Sequence, residues 1–273
     1  MVPTLVVLLL IGLILAGIVL QPKIQRQRRV RLQRRPFPPL WRALIEENVP
    51  LYQHLSPEER QRLQGHLQVF LAEKQFIGCQ GLQVTEEMRV IVGAIASLLL
   101  LNERGTYFPK LKSILMYPGA YIVSQPTVNG PYIVEERQEA RLGESWIRDQ
   151  VILSWAHIQS DLRHWNDGHN LILHEFAHQL DQEDDQAEGV PILKHQADYA
   201  QWTQVMATEY EQLCEAVRQR RKTVLDSYGT KNPAEFFAVA TETFFEKSKQ
   251  LKKSHPALYE QLKRYYQLDP AIY

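Results

Sequence analysis

The stretch "LILHEFAHQLDQEDD", residues 171–185, sets two histidines and a glutamate inside an apolar run and follows them with carboxylates. Wound as a helix, Leu173, Phe176, Ala177 and Leu180 fall at i, i+3, i+4 and i+7 and make one apolar stripe. His174, His178 and Asp181 fall on the neighbouring stripe at i, i+4 and i+7. Ionisable groups beside a buried stripe need a partner that offsets their desolvation. Two imidazoles one turn apart converge on a single ion, and neutral histidine nitrogen suits zinc. Glu175, next to the first of them, is placed to act on a water that shares the metal. H-E-x-x-H on a helix is the spacing that joins two metal ligands to a general base. The plain alternative is a helix with two surface histidines and an i, i+3 contact between Glu175 and His178. The apolar stripe and the strand-like run before it favour the metal.

A catalytic zinc commonly has three protein ligands and one open position. Downstream, "YGTKNPAEFFAVATETFFE", residues 228–246, offers Glu235 and, two turns further on the same face, Glu242. Asn232 can cap this helix with Pro233 in the first position, so Asn232-x-x-Glu235 also reads as a capping box. The residues themselves leave Glu235 and Glu242 as equal candidates. His195 and His169 are weaker ones, since His169 precedes His174 by five residues at a poor angle for the same ion. Asp181 is expected either to orient a ligand imidazole or to form a cap or surface ion pair. Tyr228 can donate its phenol to an oxyanion.

The chain has 273 residues, 31 basic and 31 acidic, but the balance is uneven. The run "QPKIQRQRRVRLQRR", residues 21–35, holds seven basic residues and no acid, which leaves 24 basic against 31 acidic elsewhere. A mildly acidic body does not fit nucleic-acid binding. Cys79 and Cys214 form no framework and read as free thiols. The first twenty residues, "MVPTLVVLLLIGLILAGIVL", carry no charge and as a helix span about 30 Å, the depth of a bilayer core. Positive charge follows the apolar run and none precedes it, which fits an uncleaved anchor better than a cleaved signal. The expected organisation is a transmembrane anchor at 1–21, a basic juxtamembrane linker at 22–39 and a domain at 40–273. The positive-inside rule puts that domain on the cytoplasmic face of the cell membrane, with the basic run against anionic headgroups.

Within the domain, Ser56, Pro57 and Glu59 predict a capped helix to about residue 72, and Thr85 predicts another running to about 101. Strands are expected at 113–123 around a turn and at 150–159, with a polar hairpin or exposed loop, a candidate lid, at 131–145. The second strand, just ahead of the metal helix, is a place where an extended peptide could add as a further strand. Helices are expected at 197–222, 233–249 and 257–267, and strands ringed by helices make an α+β domain.

Together "HEFAHQLD", "GVP" at 189–191, "NPAEFFAVATETFF", "VILSW" and "VTEEMR" at 84–89 resemble the Mlc titration factor A family over residues 40–270. The resemblance implies a zinc-dependent peptidase with a zincin-like core similar to that of anthrax lethal factor. It assigns one zinc to His174, His178 and Glu235, which resolves the choice in favour of Glu235. It makes Glu175 the general base and strengthens Tyr228 as an oxyanion donor. It further implies peptide substrates, aminopeptidase-type cleavage and a transcriptional regulator as partner. Members of the family are soluble, so the apolar start of this chain departs from their pattern.

Overall fold

The computed structural model describes residues 20–102, 106–119 and 149–272, together with the strand segments 121–128, 134–141 and 143–144 as backbone. The expected anchor at 1–21 lies outside the described residues except for its last two. Among the described residues no helix is long and apolar enough to cross a membrane.

The body opens with three helices. α1 covers residues 20–33, α2 Pro39–Asn48 and α3 Pro50–His54. α4, Pro57–Glu73, starts on a complete capping box: Ser56 Oγ accepts the Glu59 N–H, and the Glu59 carboxylate accepts the Ser56 N–H. Thr85 caps α5, Glu86–Leu98, by accepting the Met88 N–H. α5 is buried on nearly every side, as its apolar sequence requires.

A four-stranded sheet backs these helices in the order β1 (Gln75–Gly78), β2 (Ser113–Tyr117), β6 (Gln150–Ser154) and β5 (Gly143–Glu144). The first three strands are parallel and β5 is antiparallel. β3 (Tyr121–Val128) and β4 (Val134–Arg141) form a separate antiparallel pair, so the polar segment near 131–145 contributes a strand to a hairpin. The strand expected at 150–159 stops at Ser154. Ser154 Oγ accepts the His157 N–H and so caps α6, Trp155–Arg163. β6 is also an inner strand, because Ile152 and Leu153 pair with β5. β6 is thus an ordinary sheet strand, and at Ile152 and Leu153 the place of an added peptide is taken by β5.

α7 (Leu171–Asp181) lies between the sheet side and α9 (Pro233–Glu246), with α8 (Asp198–Arg218), α10 (Ser248–Ser254) and α11 (Pro256–Tyr266) behind. Its apolar stripe is fully sunk: Leu173, Phe176 and Ala177 have no exposed surface. Phe176 meets Phe70 and Phe108 with ring centroids 5.6 and 4.9 Å apart, which fixes the roll of α7 and the direction of its opposite face.

The basic segment at 22–39 is helical to residue 33 and docked by one face. The Arg29 guanidinium makes two 2.8 Å hydrogen bonds to Glu73 and lies 4.6 Å from the Tyr107 ring centroid. Gln33 Nε2 donates to the Tyr107 hydroxyl at 2.7 Å, and Leu32 is buried. α1 approaches α4 at Gly65, where a Cβ would stand 3.3 Å from the Gln33 side chain. The remaining cations, Lys23, Arg26, Arg28, Arg31, Arg34 and Arg35, are exposed.

Candidate metal centre

α7 is held at its start by four side chains. Asn170 Oδ1 caps it through the Leu173 N–H. Around that cap stand three buried carboxylates: Asp161 accepts the Leu171 N–H at 2.9 Å, Glu242 the Asn170 N–H at 2.7 Å, and Glu246 the Gly168 N–H at 3.0 Å. Negative charge suits a helix N-terminus. Burial nevertheless outweighs these bonds and pushes Asp161 up to about 7 and Glu246 up to about 8.

His174 and His178 project from the face opposite Phe176, toward the start of α9. Asn232 Oδ1 accepts the Glu235 N–H at 2.9 Å, so the expected cap forms. The Glu235 carboxylate leaves the cap and turns to the histidines. Its Oε2 lies 3.0 Å from His174 Nε2 and 3.3 Å from His178 Nε2, and the two Nε2 atoms are 3.2 Å apart. One ligand atom from each of the three residues falls within 4.8 Å of the others. Among the described residues neither His169 nor His195 belongs to this group. His169 instead faces Asp226 at 3.7 Å.

The donor chemistry fits a divalent cation. A single proton cannot serve three contacts among two imidazole nitrogens and a carboxylate, whereas one cation takes a lone pair from each. Burial opposes charge on His174, but Glu242 and Glu235 prevail and hold it well above its ordinary value. Burial lowers His178, with Glu235 opposing. Burial also opposes ionisation of Glu235, yet hydrogen bonds from His174 and His178 pull it well below the usual carboxylate range. The three ligand atoms converge where a metal would sit.

Glu242 orients rather than joins the cluster: its Oε1 accepts from His174 Nδ1 at 2.7 Å, which leaves Nε2 free to face the cation. Asp181, expected either beside an imidazole or at the surface, does neither. Its two oxygens accept the Gly189 and Val190 N–H groups at 3.0 and 2.8 Å and pin the "GVP" loop. Gly189 sits at φ +72° with a would-be Cβ only 2.3 Å from Pro233 O, so this loop presses on the start of α9. Glu175 is buried at 4% exposure, and its Oε2 has no hydrogen-bond partner among the described residues. Burial pushes it up to about 8, with His174 opposing and Glu235 reinforcing. The Tyr228 ring is 43% exposed and 5.8 Å from the His174 ring, centroid to centroid. Asp226 holds it there by accepting the Tyr228 N–H at 2.7 Å.

A profile of the glucose-regulated metallo-peptidase M90 family matches residues 23–267. The chain belongs to that family. Mlc titration factor A of Pectobacterium atrosepticum is 32% identical over 235 residues, 84% of this M90 chain and 86% of its own length. Mlc titration factor A of Yersinia pestis is 30% identical over 228 residues, 82% and 83% of the two chains. An uncharacterised protein of Synechocystis sp. is 45% identical over 273 residues, the whole of this M90 chain and 99% of its own.

The orienting role of Glu242 and the helix-start roles of Asp161 and Glu246 were not anticipated. A signal was present: Glu235, Glu242 and Glu246 fall at i, i+7 and i+11 on a helix otherwise almost wholly apolar. Carboxylates spaced along one line of a buried helix need partners on the helix that faces them.

Proposed function

We propose that this M90-family chain is a zinc metallopeptidase tethered to a membrane. The convergence of His174, His178 and Glu235, with the buried Glu175 next to His174 in sequence and its Oε2 without a hydrogen-bond partner among the described residues, carries the proposal. Bound there, zinc supplies a Lewis acid that acidifies a water and polarises a peptide carbonyl. Glu175 accepts the proton of the attacking water and delivers it to the leaving amine. A cation held by His174, His178 and Glu235 would favour the ionised form of that carboxylate and oppose the effect of burial. Tyr228, on the open side of the cluster, donates its hydroxyl to the developing oxyanion. Glu242 keeps His174 in the tautomer that presents Nε2 to the metal.

The tether rests on the uncharged first twenty residues and the cations that follow them. It places the catalytic domain on the cytoplasmic side. A second reading comes from the names of the relatives, Mlc titration factor A. In it the domain binds a transcriptional regulator, and hydrolysis is incidental.

Metal analysis and peptide hydrolysis by the full chain test both. One zinc per chain, lost in His178→Ala, is the expected stoichiometry. Glu175→Gln should keep its zinc and lose about 10²- to 10⁴-fold in hydrolysis. Hydrolysis at the parent rate by that variant would remove Glu175 from the mechanism. A parent that binds a regulator as tightly with Glu175→Gln as without it, and cleaves no peptide, would favour the second reading.

A further inference from the structure

Next to the metal centre lies a cavity of about 380 Å³ whose charged lining is Arg220, Arg221, Lys222, Lys247, Asp167 and Asp226. Its lining approaches the site along two chain segments. Gly168 and His169 lead into Asn170 and α7, and Asp226, which faces His169 at 3.7 Å, is two residues before Tyr228.

The two acids each hold a backbone N–H and keep their charge. Asp167 Oδ1 accepts the His169 N–H at 2.9 Å. Asp226 Oδ1 accepts the Tyr228 N–H at 2.7 Å, and its other oxygen faces His169 at 3.7 Å. The four cations have no ion pair among the described residues. Arg220, Arg221 and Lys222 follow the end of α8, with Arg220 at φ +54° turning the chain. Lys247 follows the end of α9, and its Nζ stands 3.0 Å from where a Cβ on Gly168 would be.

A cation after a helix C-terminus is ordinary, because it complements the helix dipole. That accounts for each residue separately. It does not account for two helix ends delivering four positive charges, against two carboxylates, to one concavity near the metal cluster. Like charges gathered this way repel, and an anion entering among them relieves the repulsion. A peptide held with its scissile bond at His174, His178 and Glu235 advances about 3.3–3.6 Å per extended residue, and the cavity lining at Asp226 is two residues along the chain from Tyr228, whose ring lies 5.8 Å from that of His174.

We propose that this cavity is a carboxylate subsite. Resting on the peptidase reading above, it takes a side-chain or C-terminal carboxylate of the substrate near the bond that is cut. Charge-assisted bonds to guanidinium and ammonium would supply the selectivity.

The experiment uses the full zinc-loaded chain and fluorogenic peptides of one length. One arm places a single Glu, in place of Gln, at each position flanking the scissile bond. The other compares free C-terminal carboxylate with C-terminal amide. The expected result is a kcat/KM about tenfold higher for one acidic placement, carried in KM, with Arg221→Gln and Lys247→Gln each collapsing that ratio toward one. Arg221 is exposed, so its replacement does not threaten folding. Equal rates for acidic and neutral peptides, or a preference that survives both variants, overturn the proposal. A binding arm keeps it separable from the peptidase reading: anisotropy of labelled acidic and neutral peptides on Glu175→Gln. If no peptide is cleaved, the peptidase reading fails. The subsite then stands only if the acidic peptide binds about tenfold tighter and loses that advantage in Glu175→Gln/Arg221→Gln.

Discussion

Replacing Glu242 by Gln should loosen the metal without touching it. The carboxylate uses its two oxygens on two different donors, Oε1 on His174 Nδ1 and Oε2 on the Asn170 N–H, both at 2.7 Å. Glutamine has one acceptor oxygen, so its NH₂ must face one of those N–H groups. If the amide keeps His174, the buried Asn170 N–H is orphaned at a cost of about 1–3 kcal/mol. If it keeps Asn170, the imidazole loses its anchor and its charge-assisted bond, and removal of such a partner weakens metal binding about 10- to 100-fold. Either outcome disturbs α7 at its first turn. The assay is zinc affinity by competition with a chromophoric chelator, alongside a thermal melt of the metal-free protein. Glu246→Gln is the control, since Glu246 bonds Asn170 Nδ2 and the Gly168 N–H and reaches no histidine. Zinc affinity should fall about 10- to 100-fold in Glu242→Gln and much less in Glu246→Gln. Equal zinc affinity in parent and Glu242→Gln would show that the His174–Glu242 contact does not prepare the ligand.

Three further perturbations follow from the same geometry. Gly189→Ala forces a side chain into left-handed backbone and onto Pro233 O, 2.3 Å from its Cβ. A loss of about 2 kcal/mol or more is expected in a denaturant titration, together with weaker zinc binding because Pro233 is two residues from Glu235. Asp161 is held at about 7 against an ordinary 3.8, so the folded state binds its proton more tightly than the unfolded chain does. Its contribution to stability is complete below about pH 4 and declines by up to ~1.4 kcal/mol per pH unit as the pH rises to about 7. Asp161→Asn should flatten that slope in urea midpoints of metal-free protein. Arg29→Ala removes both bonds to Glu73, and about 1–3 kcal/mol of docking energy should go with them. Trypsin should then cut residues 23–31 faster while the body stays intact; unchanged cleavage would mean that α1 is held by something else.

Where local chemistry decides the structure, the sequence was readable. Ser56-x-x-Glu59 and Asn232-x-x-Glu235 carry the same capping signal, and both caps form. Only the first closes its box, because the Glu235 side chain is drawn to His174 and His178. That difference is tertiary and cannot be seen from four residues. The same limit hid Ser154, a cap inside a run of β-branched and aromatic residues that resembles one longer strand. β1, only Gln75–Gly78, is too short for an alternating pattern to stand out and exists because β2 pairs with it. Asp181 shares the histidine stripe, yet its partners are Gly189 and Val190, brought back by a loop whose course depends on the packing around it.

The side-on clamp of α1 has a mechanical meaning. Arg29, Leu32 and Gln33 grip only its last turn and a half, and residues 20–28 run out from the body as exposed helix. On the tethered reading, those nine helical residues hold the body off by about 1.5 Å each, about 14 Å in all.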